Sequence, residues 1–322
     1  MSALAGAACL LIGGAVPAAQ AQDYPTQPVK IVVPFVAGGG VDVVARIIAP
    51  RLSEVLGQPV IIENRGGAGG GLGAAAVAAA PPDGYTFLLG TGSTHGTNSS
   101  VYPKLSYDPV RDFVPVVQVT TSPLVLIVPP ALQVNSVSDL IAMARSKPGE
   151  LSYGSYGTGS INHLSGELFN AMAKIQANHI PYRGAAPALT DLMAGRLQYT
   201  FDGVATSLGY ARAGSIRILG VAGLNRSPVI PEQPTIAESA VPGFDTSVWF
   251  GLFAPAGTPA AVVDIINRKT NAVLAMPALK ESFEKLGIVG VGGPPDVLAA
   301  RVRTEMQKWA DLVRERNLRF DQ

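Results

Sequence analysis

The chain has 322 residues, which at roughly 100 to 200 residues per domain leaves room for two domains. Its 24 Lys and Arg residues against 23 Asp and Glu residues leave a formal charge of +1 without any block of like charge, which argues against a nucleic-acid or acidic-membrane partner. Charged residues make up only 15% of the chain, and 36 glycines and 26 prolines lie between apolar runs, so the composition is that of a folded protein rich in loops.

Residues 1–21 have the pattern of a secretory signal peptide. They carry no charge, and an apolar run from Leu4 to Val16 leads to Ala19-Gln20-Ala21, an Ala-x-Ala cleavage site before Gln22. This run is too short to cross a bilayer, for which about 20 residues are needed. We therefore expect an exported, periplasmic mature protein that begins at Gln22. The segment lacks the usual early Lys or Arg, so the true start could lie upstream.

The residue types that form disulfides and metal sites are scarce. The only cysteine, Cys9, lies in the signal segment, so no disulfide is expected in the mature chain; lipidation of Cys9 is the alternative, disfavoured by the short apolar run before it. His95, His163 and His179 are far apart without i, i+4 pairing, which predicts no metal site. The G-x-G-x-x-A pattern beginning at Gly69 lacks the acidic residue that a dinucleotide site needs after the next strand, so no cofactor is expected.

Apolar β-branched runs then alternate with helical patterns. The first series predicts strands 29–33, 60–63 and 86–89 with helices 41–56 and 72–80. In the first helix Val44, Ile48, Leu52 and Leu56 form a buried stripe, and Gly57 is the stop signal. This alternation predicts βαβ units in an α/β fold.

A second α/β series follows an extended run over 113–130. A capping box at Ser136-x-x-Asp139 opens a helix that ends near residue 148. The further predictions are strands 151–154, 177–180, 199–202, 216–222 and 248–254, and helices 161–174, 185–194, 259–274, 277–286 and 296–316. Two series joined by two extended, Pro-bounded connections predict two lobes, with lobe I at 22–121 plus 246–322, lobe II at 122–245, and a ligand crevice between them.

Two Gly-rich turns each follow a predicted strand and open a helix. The first loop covers residues 34–42 and the second loop residues 154–163. Glycines let backbone N–H groups approach a ligand, and a helix start carries unpaired donors with about half a positive charge. Each loop could therefore bind an anion. The alternative is that the glycines only shape tight turns, with Ser160 or Asp42 as N-caps.

Several polar side chains near these loops could touch a ligand. His163 could donate to a carboxylate, or pack at the lobe interface; Asp202 could contact the ligand or cap a turn, and Arg183 could clamp a carboxylate or be solvated. His95 could line the cleft with its neighbouring hydroxyls, or pack inside its loop. No serine or other nucleophile has a context that identifies a base, so the sequence predicts a binding protein and not an enzyme.

Motifs along the whole mature chain resemble those of a known family. They are P-F-x-A-G-G-x-x-D over residues 34–42, Glu63-Asn64-Arg65, Pro82-Asp83-Gly84-Tyr85-Thr86, the second loop with His163, Tyr182-Arg183-Gly184, and Trp249-x-Gly251-x-x-Ala254-Pro255. In these stretches the sequence resembles the Bug or TctC family, the exported substrate-binding proteins of tripartite tricarboxylate transporters.

The resemblance implies a two-lobed periplasmic-binding-protein type II fold with two crossover connections, closing on a small carboxylate held by the two loops. The partner would be a two-component membrane permease, or alternatively a signalling partner if the protein senses its ligand; an exported enzyme is the remaining alternative. A monomer is expected, and the identity of the carboxylate stays open. With Asp42 and His163 added from the residue analysis, the predicted ligand-binding residues are Phe35, Ala37, Gly38, Gly39, Asp42, Ser93, Thr94, Ser155, Gly157, Thr158, Gly159, Ser160, His163, Tyr182, Gly184 and Asp202.

Overall fold

The strands of this protein form one sheet around a long central strand. The computed structural model describes residues 24–320, so the predicted signal segment and Cys9 lie outside the described residues. The strands are Val29–Val33 (β1), Val60–Asn64 (β2), Thr86–Thr91 (β3), Phe113–Val128 (β4), Leu151–Ser155 (β5), Ala177–Pro181 (β6), Tyr199–Gly203 (β7), Arg217–Val221 (β8), Ser247–Pro255 (β9) and Val289–Gly290 (β10).

Helices connect most of these strands, as the alternating pattern predicts. They are Gly40–Leu56 (α1), Gly71–Ala78 (α2), Asn98–Val101 (α3), Val137–Ser146 (α4), Ile161–Ala173 (α5), Ala185–Met193 (α6), Val204–Arg212 (α7), Ile236–Ser239 (α8), Ala260–Leu274 (α9), Pro277–Glu284 (α10) and Pro295–Glu315 (α11). A 3-10 turn at Ala68–Gly70 precedes α2, and a π-helical turn at Ser93–Thr97 follows β3. The predicted α/β architecture is confirmed.

Strand β4 belongs to both halves of the sheet. The sheet order is β2-β1-β3-β9-β4-β7-β5-β6, with β8 and β10 also pairing with β4. Residues 113–123 of β4 pair antiparallel with β9, whereas residues 124–128 pair with β7 and β8. We call β1–β3, β9, β10 and the first part of β4 the first lobe, and β5–β8 with the end of β4 the second lobe. The exact boundaries 22–121 plus 246–322 and 122–245 stay predictions.

Each lobe has its own apolar core. In the first lobe, the predicted stripe of α1 is buried at Val44, Ile48 and Leu52, against strand residues such as Leu89. The second core is rich in aromatic residues, with Phe169, Phe201 and Phe244 packed edge to face or stacked. Because each core closes on its own sheet half, the ends of the parallel strands are left to form a cleft between the halves.

Two predicted signals for helix ends are confirmed, whereas Asp42, the predicted alternative N-cap, lies inside α1, whose N-cap residue is Gly39. Gly57 ends α1 in the left-handed conformation with φ 69°, and Ser136 with Asp139 forms a complete capping box on α4. The sequence analysis missed α7, whose nine residues include Gly209 and few buried side chains, so that no apolar stripe marks it.

Candidate functional site

A cavity of about 450 Å³ lies between the two lobes. The turn after β1, the turn after β3, the start of α5 and strand β9 form its walls. Its lining residues are Phe35, Val36, Gly39, Gly40, Val41, Thr91, Gly92, Ser93, Tyr156, Ile161, Asn162, Ser247, Val248 and Phe250. The first and second loops, which the resemblance implies hold one carboxylate between the lobes, both contribute residues to this cavity.

The first loop directs backbone donors into this cavity. The carboxylate of Asp42, 2% exposed, accepts a hydrogen bond from the Gly38 N–H at 2.8 Å and from Arg46 Nε at 2.9 Å. Asp42 thus holds the loop from within, and the pKa of its carboxyl is lowered to about 2, chiefly by the hydrogen bond from Arg46. Among residues 24–320, nothing accepts from the N–H groups of Gly39 and Gly40 at the start of α1, which are thus available to a ligand.

The second loop is held by hydrogen bonds of the same kind. Ser160 caps α5 by accepting from the His163 N–H at 3.3 Å, and the Gly159 N–H donates to Nδ1 of His163 at 3.0 Å. The N–H groups of Ile161 and Asn162, in the first turn of α5, have no acceptor within the described part of the chain, and both residues line the cavity. Two helix N-termini, one from each lobe, therefore place N–H groups without a protein acceptor at the wall of one cavity.

His163 supports the second loop by stacking as well. Its ring lies on that of His179, with 3.8 Å between the ring centroids, and Nε2 of His179 lies 2.6 Å from Oγ of Ser155. Burial lowers the pKa of His163 to about 4 and that of His179 to about 4, so both rings are neutral at neutral pH. The pair shapes the loop without adding charge to the cavity.

Tyr156 forms part of the wall in the second lobe, and its orientation is set from behind. Its hydroxyl donates to Oδ1 of Asp202 at 2.5 Å, while Ser207 donates to Oδ2 at 2.8 Å. Burial raises the pKa of the Asp202 carboxyl. The contact of Asp202 with the cavity is therefore made through Tyr156.

The turn after β3 contributes one free hydroxyl. Ser93 lines the cavity, and its side chain makes no hydrogen bond to the residues the structure describes. The neighbouring Thr94 is buried, and its hydroxyl accepts a hydrogen bond from the Thr91 N–H at 2.9 Å. His95 is also buried, stacked on Phe253 with 3.7 Å between ring centroids, as in the packing alternative.

Of the sequence-predicted site residues, the structure places Phe35, Gly39 and Ser93 on the cavity wall. Those outside the lining are Ala37, Gly38, Asp42, Thr94, Ser155, Gly157, Thr158, Gly159, Ser160, His163, Tyr182, Gly184 and Asp202. Most of these lie on the two loops themselves. The exceptions include Tyr182, which donates to Asp191 at 2.7 Å, and Gly184, which precedes α6. Arg183 is exposed and away from the cavity, as in its solvated alternative. The ligand contacts of the predicted set stay predictions.

Sequence reasoning missed several lining residues. Tyr156 is next to Gly157, and Asn162 lies near the end of the second loop, so their position in that loop was an available signal. Val248 and Phe250 on β9 carried no such signal, because strand pairing with β4 and β3 brings them to the cavity from a distant part of the chain.

The lining of the cavity is electrically neutral. No Lys, Arg, His, Asp or Glu is among its described lining residues. Residues 24–320 also contain no cluster of His, Cys, Asp and Glu that could hold a metal ion. Binding of an anion in this cavity would therefore depend on backbone N–H groups, helix N-termini and hydroxyls.

Comparison with known proteins identifies the family of this protein. The profile of the family described as "Tripartite tricarboxylate transporter family receptor" matches residues 44–318. This chain belongs to that receptor family. The predicted resemblance to the Bug or TctC group and the two-lobed fold are confirmed, and so is the prediction of a receptor and not an enzyme.

Individual relatives of the receptor cover nearly all of its length. BugT of Bordetella pertussis is 38% identical over 92% of this chain and 91% of its own. A protein of R. palustris solved with adipate is 42% identical, covers 91% of this chain and 98% of its own, and superposes with a TM-score of 0.79. MatC of Rhodopseudomonas palustris, solved with bound malate, is 35% identical over 90% and 100% of the two chains with a TM-score of 0.76.

The helices of the receptor show no sign of a membrane span. Within residues 24–320, none is long and apolar enough to cross a bilayer.

Proposed function

We propose that this receptor binds a small carboxylate between its lobes in the periplasm and delivers it to a two-component membrane permease. The observation that carries the proposal is that the N-termini of α1 and α5 both line one cavity with N–H groups that have no acceptor among the described residues. Each N-terminus favours negative charge by its aligned peptide dipoles and its unpaired donors.

The neutrality of the wall supports a small acid over other ligands. A cation would meet two positive helix ends without a carboxylate on the wall to neutralise it. A neutral sugar is usually held by side-chain hydrogen bonds, and Ser93 has the only side chain in the described lining whose polar group makes no hydrogen bond within the protein. Relatives solved with adipate and with malate point in the same direction.

Export and delivery rest on the sequence and the family. The Ala-x-Ala pattern before Gln22 predicts removal of residues 1–21 and a mature periplasmic protein. N-terminal sequencing of the periplasmic form tests this, and a mature chain that keeps a lipidated Cys9 would overturn it. We expect this protein to be monomeric, which light scattering after size-exclusion chromatography tests.

Calorimetric titration of the purified protein with a panel of small carboxylates tests the binding function. We expect saturable binding of at least one acid to a single site, with no heat from neutral sugars or from the chloride salt of the same cation. If sugars or cations bind and every acid fails, the proposed function is wrong.

The same titration on variants tests which groups hold the charge. We expect Arg183→Ala to bind the acid as the unaltered protein does, because this side chain lies outside the cavity lining. Loss of binding in this variant would show that a side-chain ion pair, and not the backbone of the two loops, anchors the ligand.

A further inference from the structure

The wall of the cavity is largely hydrocarbon between the two helix N-termini. The apolar and aromatic side chains come from both loops and from β9, and they are Phe35, Val36, Val41, Tyr156, Ile161, Val248 and Phe250. Val36 is 73% exposed in the cleft, a large exposure for an apolar side chain. A ligand that covers such a surface gains free energy if its own surface is apolar there.

Three polar side chains of the wall each make one hydrogen bond within the protein. Asn162 donates to the Phe201 carbonyl at 2.7 Å, Thr91 accepts from the Thr94 N–H at 3.3 Å, and Ser247 accepts from Arg301 at 2.7 Å. Of the polar lining side chains, only Ser93 makes no hydrogen bond to the described residues. These bonds leave the hydroxyl hydrogens of Thr91 and Ser247 and Oδ1 of Asn162 without a partner among the described residues. A polar substituent in the middle of a ligand would still face a wall in which apolar and aromatic side chains outnumber these groups.

Resting on the proposed function, we propose that the cavity selects acids whose polar groups lie only at their ends and whose middle is unsubstituted hydrocarbon. The end carboxylate takes the N–H groups of α1 and α5, and the hydrocarbon covers the apolar wall. A hydroxyl or an ammonium group that lies against the apolar part of the wall loses its water without gaining a partner there, which weakens binding. The wall residues Val248 and Phe250 on β9 thus act as specificity determinants.

Matched pairs of acids, titrated calorimetrically into the full-length mature protein, test this selectivity. The pairs are succinate with malate, glutarate with glutamate, and adipate with galactarate; each has equal chain length and differs only in polar groups on the body. We expect the unsubstituted member to bind about tenfold tighter or more in every pair that binds.

The outcomes separate the two proposals. If malate, glutamate or galactarate binds as tightly as its partner acid or more tightly, the selectivity is wrong and carboxylate binding stands. If none of the six acids, nor any other acid of the wider carboxylate panel, binds, the proposed function is wrong, and the selectivity falls with it.

An isosteric change in the wall tests the specificity determinants. Val248→Thr keeps the volume and β-branching of the side chain and adds a hydroxyl, so we expect the succinate-to-malate affinity ratio to fall about threefold or more. Val297→Thr is the matched control on α11, since Val297 is 44% exposed and outside the lining. Phe250→Tyr provides a second variant of the same kind should Val248→Thr fold poorly. An unchanged ratio in both wall variants would overturn the role assigned to β9.

Discussion

Asp42 illustrates how a residue predicted at a binding site can act on the site from behind. Its carboxylate accepts hydrogen bonds from the Gly38 N–H, from Arg46 and from Asn64 Nδ2, the last at 2.9 Å. These three bonds fix the turn between β1 and α1. The free N–H groups of Gly39 and Gly40 are placed as a consequence, and they need no side chain of their own.

The pH dependence of stability tests this role of Asp42. Its pKa is about 2 when folded, below the ordinary value of 3.8, so its stabilisation is complete above the ordinary pKa and is lost as the pH falls toward 2. We expect Asp42→Asn to lower the free energy of unfolding by roughly 1.5–3 kcal/mol at neutral pH. In urea titrations at several pH values, the difference from the unaltered protein should shrink below about pH 4.

A surface aspartate provides the control for Asp42. Asp264 forms an exposed ion pair with Arg268, and exposed pairs contribute little, so Asp264→Asn should change the free energy of unfolding by less than about 1 kcal/mol. A difference for Asp42→Asn that stays constant down to pH 2 would contradict the assignment.

Gly159 is a second residue on which the site depends, for steric reasons. Its φ is +78°, and a Cβ atom there would lie 2.5 Å from Cγ1 of Val101 in α3. We expect Gly159→Ala to cost more than Gly214→Ala, because Gly214 has φ +70° but open space around its missing Cβ, and so carries the backbone cost of roughly 1–2 kcal/mol alone. Thermal unfolding of both variants measures the difference. Equal melting temperatures would show that the contact with Val101 yields easily.

At the scale of elements, the packing of α5 on α11 connects the lobes. Leu164 of α5 is buried with Val101 of α3 and with Trp309 and Leu312 of α11. Arg316, just after α11, pairs with Glu167 of α5 at 3.1 Å. Helix α11 also packs on β4 and on the turn at Ser93–Thr97, and α5 begins at the second loop. This contact therefore sets the position of the N-terminus of α5 relative to the turn after β3.

Truncation of this contact should therefore affect binding as well as stability. We expect Leu164→Ala to lower the free energy of unfolding by about 2–5 kcal/mol and to weaken carboxylate binding. Leu140→Ala removes an equally buried leucine from the core of the second lobe alone, so it should cost similar stability and leave the affinity unchanged. Calorimetric titration of both variants, with folding checked by circular dichroism, decides. Equal affinities would show that the α5–α11 contact does not position the site.

At the scale of the whole molecule, ligand binding should raise stability and change the environment of Trp249. This buried residue lies under the cavity floor, since a Cβ on Gly92 would be 3.1 Å from its Nε1. At a ligand concentration of about 100 times Kd, binding to the folded form alone adds roughly 2.7 kcal/mol, enough to raise the melting temperature by several degrees. We expect the same acid to change the emission of a Trp309→Phe variant, in which only Trp249 remains. A melting shift without any change in emission would place the ligand away from Gly92.

Much of the fold is already determined by local sequence. The first βα unit is marked by a β-branched run, by a stripe that includes Val44 and Ile48, and by a glycine at the helix end, because strand and helix bury side chains with different periods. The two loops are identified in the same way. Glycines between a strand and a helix indicate a close backbone approach wherever the loops lie in space.

Only the tertiary structure decided which side chains complete the wall of the cavity between the two loops. Val248 and Phe250 reach it because β9 pairs with both β3 and β4, from parts of the chain more than 100 residues away. Asp42 and His163 are directed into the loops because their partners, Asn64 and His179, arrive through other strands. Hydrogen bonds and contacts between distant residues depend on how strands are ordered in the sheet, and no local period or motif encodes that order.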